Sequence, residues 1–257
     1  MHPSESQKIH IALMRSICQA SFTESKPLVL KGGTALLLGY GLDRFSEDLD
    51  FDLTTRLEGH LNILSLCRSA THALSRSNVP VEILGFSEPK KTATTHRARV
   101  LFRTPDLAAP LSLKIEISAR DEPDPAHIRS IDGMAIYDLN TIASQKLLAA
   151  YEQDDLPYRT AARDLHDLAF IAHNYSDTLT CEIKQRLETF FSDPVYLMER
   201  YTDAYQEDWI LRGRLFSDLG VIEHWSENQR TLREGAGDLF DFPDIGAAKT
   251  KTGPGFN

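Results

Sequence analysis

Apolar positions near the N-terminus recur at helical spacing, and Ile9, Leu13 and Ile17 predict an amphipathic helix. A short strand Leu28 to Leu30 follows, then the turn Gly32-Gly33 and a helix from Thr34 to about Tyr40, with Thr34 as its cap. Next come a strand through Leu49 to Leu53, a long helix from about Arg56 to Arg76, and a strand Val81 to Phe86. Arg97 to Phe102 and Leu111 to Ser118 alternate apolar and polar residues at period two, as half-buried strands do. Beyond Tyr137 the periodicity becomes helical: Leu139 to Tyr151, Thr160 to Asn174, Glu182 to Phe191, Asp193 to Gln206, Asp208 to Asp218 and Val221 to Leu232.

This order predicts an α+β chain, with a mixed sheet and helices first and a helical bundle second. The acidic, proline-bearing stretch after Arg120 marks the junction, giving expected units of 1–136 and 137–246, with a flexible tail at 247–257. Hydrophobic residues at 42% and charged residues at 25% exclude collagen-like and wholly disordered classes. No apolar run approaches the length needed to span a bilayer, and the N-terminus lacks the basic flank and apolar stretch of a signal peptide, so a cytoplasmic protein is expected. Cys18, Cys67 and Cys181 are widely spaced and without a C-x-x-C pair, and are expected to be reduced and structural. The net charge of −9 disfavours a protein that coats nucleic acid. Gly85 to Arg120 departs from that balance, with seven basic residues (Lys90, Lys91, Arg97, Arg99, Arg103, Lys114, Arg120) against three acidic ones, a local +4. Within it, Lys90 to Arg103 either tracks a nucleic-acid backbone or is a solvated face.

The chemistry concentrates between Leu30 and Leu53. Strand alternation sends Leu49, Phe51 and Leu53 to one face and Asp48, Asp50 and Asp52 to the other. Like charges so close repel, and hard oxygen ligands without Cys or His point to magnesium or manganese between them. The alternative is a solvated face at a sheet edge. Gly32 and Gly33 would let the backbone approach a phosphate, with free N–H groups at the helix start, or form only a turn. On the strand around Leu113 and Ile115, Lys114 and Glu116 share the polar face. A third carboxylate there would complete a set able to hold two metals for in-line phosphoryl or nucleotidyl transfer. In the helix of Ile142 and Leu147, Lys146 either snorkels, joins an ion pair or meets a phosphate. Arg159, Arg163 and Asp167 fall at i, i+4 spacing, where a salt-bridge ladder would account for them, whereas Asp164 lies off that ladder and needs another partner. The nine histidines lack metal spacing, and His166 reads as a helix-surface residue or a participant.

Lys31-Gly32-Gly33-Thr34-Ala35-Leu36 and Arg44-Phe45-Ser46-Glu47-Asp48-Leu49-Asp50-Phe51 closely resemble the first motif of the AbiEii/AbiGii toxin family, within the DNA polymerase β-like nucleotidyltransferases. Lys114-Ile115-Glu116, Gln145-Lys146-Leu147-Leu148-Ala149, and Arg159 with Arg163-Asp164-Leu165-His166-Asp167-Leu168 resemble the second, third and fourth. The resemblance implies a polymerase β-like domain followed by helices that complete the active site. It implies Asp48, Asp50 and Glu116 as metal ligands, although the second motif commonly has aspartate where Glu116 stands. Gly32, Gly33, Thr34, Ser46, Lys146 and Arg163 would bind the nucleotide, and Lys146 and Asp164 would complete the catalytic set. The implied reaction is metal-dependent transfer of NMP from an NTP to an RNA end, the tRNA acceptor stem foremost, by the toxin of a toxin–antitoxin or phage-defence pair with a cognate antitoxin. Transfer to a small-molecule or protein hydroxyl, or a catalytically weak partner-binding protein, are the alternatives.

Overall fold

The computed structural model describes residues 4–22, 28–53, 61–120, 122–151 and 159–237. Helix α1 (Glu5–Phe22) leads into β1 (Leu28–Leu30), α2 (Gly32–Tyr40), β2 (Asp48–Leu53), α3 (Ile63–Arg76), β3 (Glu82–Lys91), β4 (Thr95–Arg103) and β5 (Leu111–Ser118). A hairpin of β6 (Ile128–Ile131) and β7 (Met134–Tyr137) follows, then α4 (Leu139–Ala150), α5 (Ala162–Tyr175), α6 (Cys181–Phe190), α7 (Pro194–Glu207) and α8 (Leu215–Gly237). The chain is α+β, as its alternation predicted, with one seven-stranded mixed sheet in the order β3-β4-β5-β2-β1-β7-β6. The β2–β5 and β1–β7 pairs are parallel and the rest antiparallel.

The β6–β7 hairpin lies where the sequence pattern suggested a linker. Its turn, Asp132-Gly133, has both residues at positive φ (50° and 74°), the conformation that joins two short antiparallel strands. β7 is buried at every position and pairs with β1, so an all-apolar run here is a central strand rather than a bridge between units. The expected helix Asp208 to Asp218 is absent. The Asp208 carboxylate instead accepts from Ile210 N (2.9 Å) and Leu211 N (3.2 Å), Gly213 turns at φ +83°, and a single helix runs on from Leu215. The long helix expected from Arg56 is described from Ile63, capped by Asn62 accepting from Ser65 N. Residues 54–60 and the tail at 247–257 lie outside the described residues.

One apolar core joins α1 (Leu13, Ile17), the inner face of the sheet (Leu49, Phe51, Ile115, Ile117) and the helical half (Leu147, Leu168, Tyr201, Ile222). Because that core takes the apolar positions of β2 and β5, their polar positions are left on the outer face of the sheet. Cys18 and Cys67 are buried free thiols, and burial pushes the Cys67 thiol up to about 12. Cys181 is free but exposed at the start of α6, so it is not a core residue.

Candidate active site

The parallel β2–β5 pairing sets Asp50 opposite Glu116 and Asp48 opposite Lys114, which brings the three predicted carboxylates onto one face of two adjacent strands. Each has a different environment. Lys114 Nζ lies 3.2 Å from Asp48 Oδ2. Arg97, opposite Glu116 on β4, donates to both Glu116 oxygens at 2.8 and 3.1 Å. Asp50 has no side-chain hydrogen bond or ion pair among the described residues. Burial raises its pKa; the charge of Lys114 opposes that rise, while those of Asp48 and Glu116 add to it. Burial would raise Glu116 too, but the Arg97 hydrogen bonds and charge outweigh it and hold the carboxyl below its usual range. The third aspartate of β2, Asp52, is spent on structure, accepting from Lys31 Nζ (2.5 Å) and the Tyr137 hydroxyl (3.1 Å).

Gly32 takes φ +71°, which favours glycine, and opens α2 directly, so Thr34 lies inside the helix rather than capping it. Its buried hydroxyl donates to the Asp48 carbonyl oxygen at 2.5 Å and sits 2.8 Å from Ser46 Oγ. Lys31 N donates to the Asp50 carbonyl oxygen at 2.9 Å. The start of α2, Ser46 and the first residues of β2 are thus fastened to one another. Gly33 is required for a different reason: a Cβ there would lie 2.4 Å from Arg44 Nη2 and 3.3 Å from Ser46 Oγ. Arg44 is buried and fixed by its ion pair with Asp167, so it has no free direction in which to yield. Gly33→Ala is expected to cost about 1–3 kcal/mol, read as a lowered denaturant midpoint at unchanged slope. An unchanged midpoint would show that the guanidinium moves freely.

In the helical half the structure replaces the expected ladder with a buried network. Lys146 Nζ lies 2.5 Å from Asp167 Oδ2 and 3.2 Å from Asp164 Oδ1, so the lysine is buried and ion-paired rather than snorkelling. Asp167, fully buried, also accepts both Nε and Nη2 of Arg44 at 2.6 Å. Arg159 precedes α5 rather than lying on it, and pairs through Nε and Nη2 with Asp164, the partner that residue required. Arg163 pairs through Nε with Asp208 at 2.8 Å. His166 is buried rather than on the helix surface, with Nδ1 2.9 Å from Asp218 and Nε2 3.0 Å from Asp43. Arg44 is the link that sequence reasoning misses: it lies against Gly33 on one side and ties Asp167, and through it Lys146, to the start of α2. Its one signal is its place three residues before the Glu47-Asp48-Leu49-Asp50 run.

Among the described residues, no three His, Cys, Asp or Glu side chains converge on a metal position as they stand. The donor chemistry nonetheless fits a hard divalent cation, because Asp50 is a partly buried carboxylate without a partner among the described residues, flanked by two more. Closing the three around an ion requires Arg97 and Lys114 to release Glu116 and Asp48.

The fold and the acidic strand pair place the molecule among the nucleotidyltransferases. Two solved structures from Helicobacter pylori are similar, each at 32% identity. The structure of JHP933 has a TM-score of 0.74 over 93% of this chain and 99% of that chain. That of a proposed nucleotidyltransferase has 0.73 over 90% and 99%. The family described as nucleotidyl transferase AbiEii toxin, type IV toxin–antitoxin system, matches residues 15–248. The chain belongs to this AbiEii family of nucleotidyltransferase toxins, as its motifs implied. No protein of curated function matches it. Membership brings an NTP substrate and an antitoxin counterpart. No described helix is long and apolar enough to cross a membrane.

Proposed function

We propose that this toxin transfers a nucleoside monophosphate from an NTP to the end of an RNA, the tRNA acceptor stem being the intended acceptor, with magnesium or manganese held by Asp48, Asp50 and Glu116. The observation that carries the reading is the single sheet face on which these acids and a row of cations lie side by side: Arg97 opposite Glu116, Arg99 opposite Lys114, and Arg103 beyond on β4. Acids that collect a metal belong to the reaction, and a strip of guanidinium groups beside them suits an acceptor that is itself a polyanion. Bound metal would activate the attacking hydroxyl and clamp the triphosphate. Gly32 and Gly33 at the start of α2 would face the phosphates, with Thr34 and Ser46 fixing that turn against β2. Lys146 and Arg44 with Asp164, Asp167 and Arg159 count three positive charges against two negative, an excess suited to a triphosphate. Asp164 and Asp167 hold the Lys146 ammonium ready for that anion, and Arg163 steadies α5 through Asp208.

Arg97 is already committed to Glu116, so the acceptor surface is tested at Arg99 and Arg103, which are exposed and have no ion-pair partner among the described residues. The double variant Arg99→Glu/Arg103→Glu is expected to weaken tRNA binding by about tenfold or more and to lower the salt slope by roughly one unit for each phosphate no longer neutralised. Measured by binding titrations across a salt series, an unchanged slope would move the acceptor to a small molecule or a protein hydroxyl.

A further inference from the structure

Two cations already stand among the three acids of the site. Lys114, opposite Asp48 in the parallel register, puts its ammonium 3.2 Å from that carboxylate, and Arg97 holds both oxygens of Glu116. Asp50 between them is unpaired among the described residues. Three negative and two positive side chains leave a net −1. Lys114 interacts with all three acids, Asp48 most strongly. Its side chain is 42% exposed, and a lysine is a compact charge on a flexible stem that can change partner. Lys31 is a different case: its partner Asp52 is nearly buried and also held by Tyr137, so that pair belongs to the scaffold.

We infer that Lys114 is a tethered counter-ion that stands in for the divalent metal in the free chain and passes to the triphosphate when the metal arrives, so that metal and nucleotide bind cooperatively. The inference rests on the metal-site reading above. A +1 ammonium beside Asp48 repels a +2 ion and occupies an oxygen that the ion needs. Released next to a metal-bound acid cluster whose charge is largely neutralised, the ammonium finds its strongest anion in the phosphates of the incoming nucleotide. Metal therefore makes the nucleotide bind more tightly, and by linkage the nucleotide does the same for the metal. The free toxin then holds metal weakly, and the nucleotide strengthens that hold. Arg97 plays no such part for Asp48: its fork is matched to Glu116 alone.

The test is a calorimetric Mn2+ titration of the full chain, with and without each of the four α,β-methylene NTP analogues. The variants are Lys114→Met, Lys114→Arg and Asp48→Asn, each checked for an unchanged thermal unfolding profile. Lys114→Met is expected to bind Mn2+ about tenfold more tightly than wild type without nucleotide, and to lose most of the nucleotide-dependent gain. Lys114→Arg, which keeps the charge, is expected to behave as wild type. Mn2+ binding by Lys114→Met equal to or weaker than wild type, no binding by either, or a fully retained nucleotide-dependent gain overturns the inference. Asp48→Asn separates the two failures: if it binds Mn2+ as well as wild type, the metal-site reading is itself wrong.

Discussion

Asp50→Asn is expected to lower nucleotide transfer by about a thousandfold or more while raising the melting temperature of the metal-free chain. The first effect follows from removing the least encumbered carboxylate of the three, because Asp48 and Glu116 each have a cation to displace and Asp50 has none among the described residues. Metal-supplied stabilisation of a phosphoryl transition state amounts to several kcal/mol, and about 4 kcal/mol is a thousandfold in rate. The second effect follows from the sign of the pKa shift. Burial and the neighbouring acids raise the folded-state pKa of Asp50 above its unfolded value. A raised value contributes stability below the unfolded pKa and loses it as pH rises through the folded one, so at neutral pH the ionised carboxylate strains the native state. Asparagine removes that strain, and a gain of about 2–4 °C is expected for each kcal/mol relieved in a chain of this size. Loss of transfer together with gain of stability distinguishes a functional carboxylate from a structural one. Asn at this position with full transfer, or with a lowered melting temperature, contradicts the assignment.

Asp167→Asn is expected to be the most destabilising of the single substitutions considered, by about 3–5 kcal/mol, because it leaves the buried Arg44 guanidinium and Lys146 ammonium facing an uncharged amide. Burial alone would raise the Asp167 pKa, but Lys146 and Arg44 outweigh it and hold it below the ordinary carboxylate value. A depressed folded-state pKa contributes stability above the unfolded value and loses it as pH falls through the folded one, so this contribution disappears only below about pH 4. Wild type and Asp167→Asn should therefore differ widely in chemical denaturation at pH 7 and converge in strong acid. Combining Asp167→Asn with Arg44→Met should cost less than the sum of the two, because the second change removes a charge that the first has orphaned. Additive costs would show that the two side chains are energetically independent despite their 2.6 Å separations.

The sequence made the elements that bury one face legible and hid those whose role depends on a partner far along the chain. Period-two alternation located β2, β4 and β5, and with them the shared face of Asp48, Asp50 and Glu116, because side-chain direction in a strand is fixed locally. The register that sets Asp50 against Glu116 is not local, and only the fold supplies it. The β6–β7 hairpin was signalled by Asp132-Gly133, yet the neighbouring acid- and proline-rich stretch favoured a loop. The ladder of Arg159, Arg163 and Asp167 was plausible by spacing alone. It failed because each found a stronger partner outside its own turn: Asp164, Asp208 and Arg44. Arg44 and Asp167 lie 123 residues apart, a pairing that no spacing rule reaches. The burial of His166 is hidden for the same reason, since Asp43 and Asp218 flank it only after α5, α8 and the segment before β2 come together.

The reaction proposed for this toxin is transfer of a nucleotide onto RNA by the acids of β2. Its most direct test incubates purified protein with total tRNA, magnesium and each radiolabelled NTP in turn, with Asp48→Ala alongside. Label passing to tRNA from one nucleotide, in wild type and not in Asp48→Ala, is the predicted result. Label reaching no RNA from any nucleotide, or equal labelling by Asp48→Ala, would contradict it.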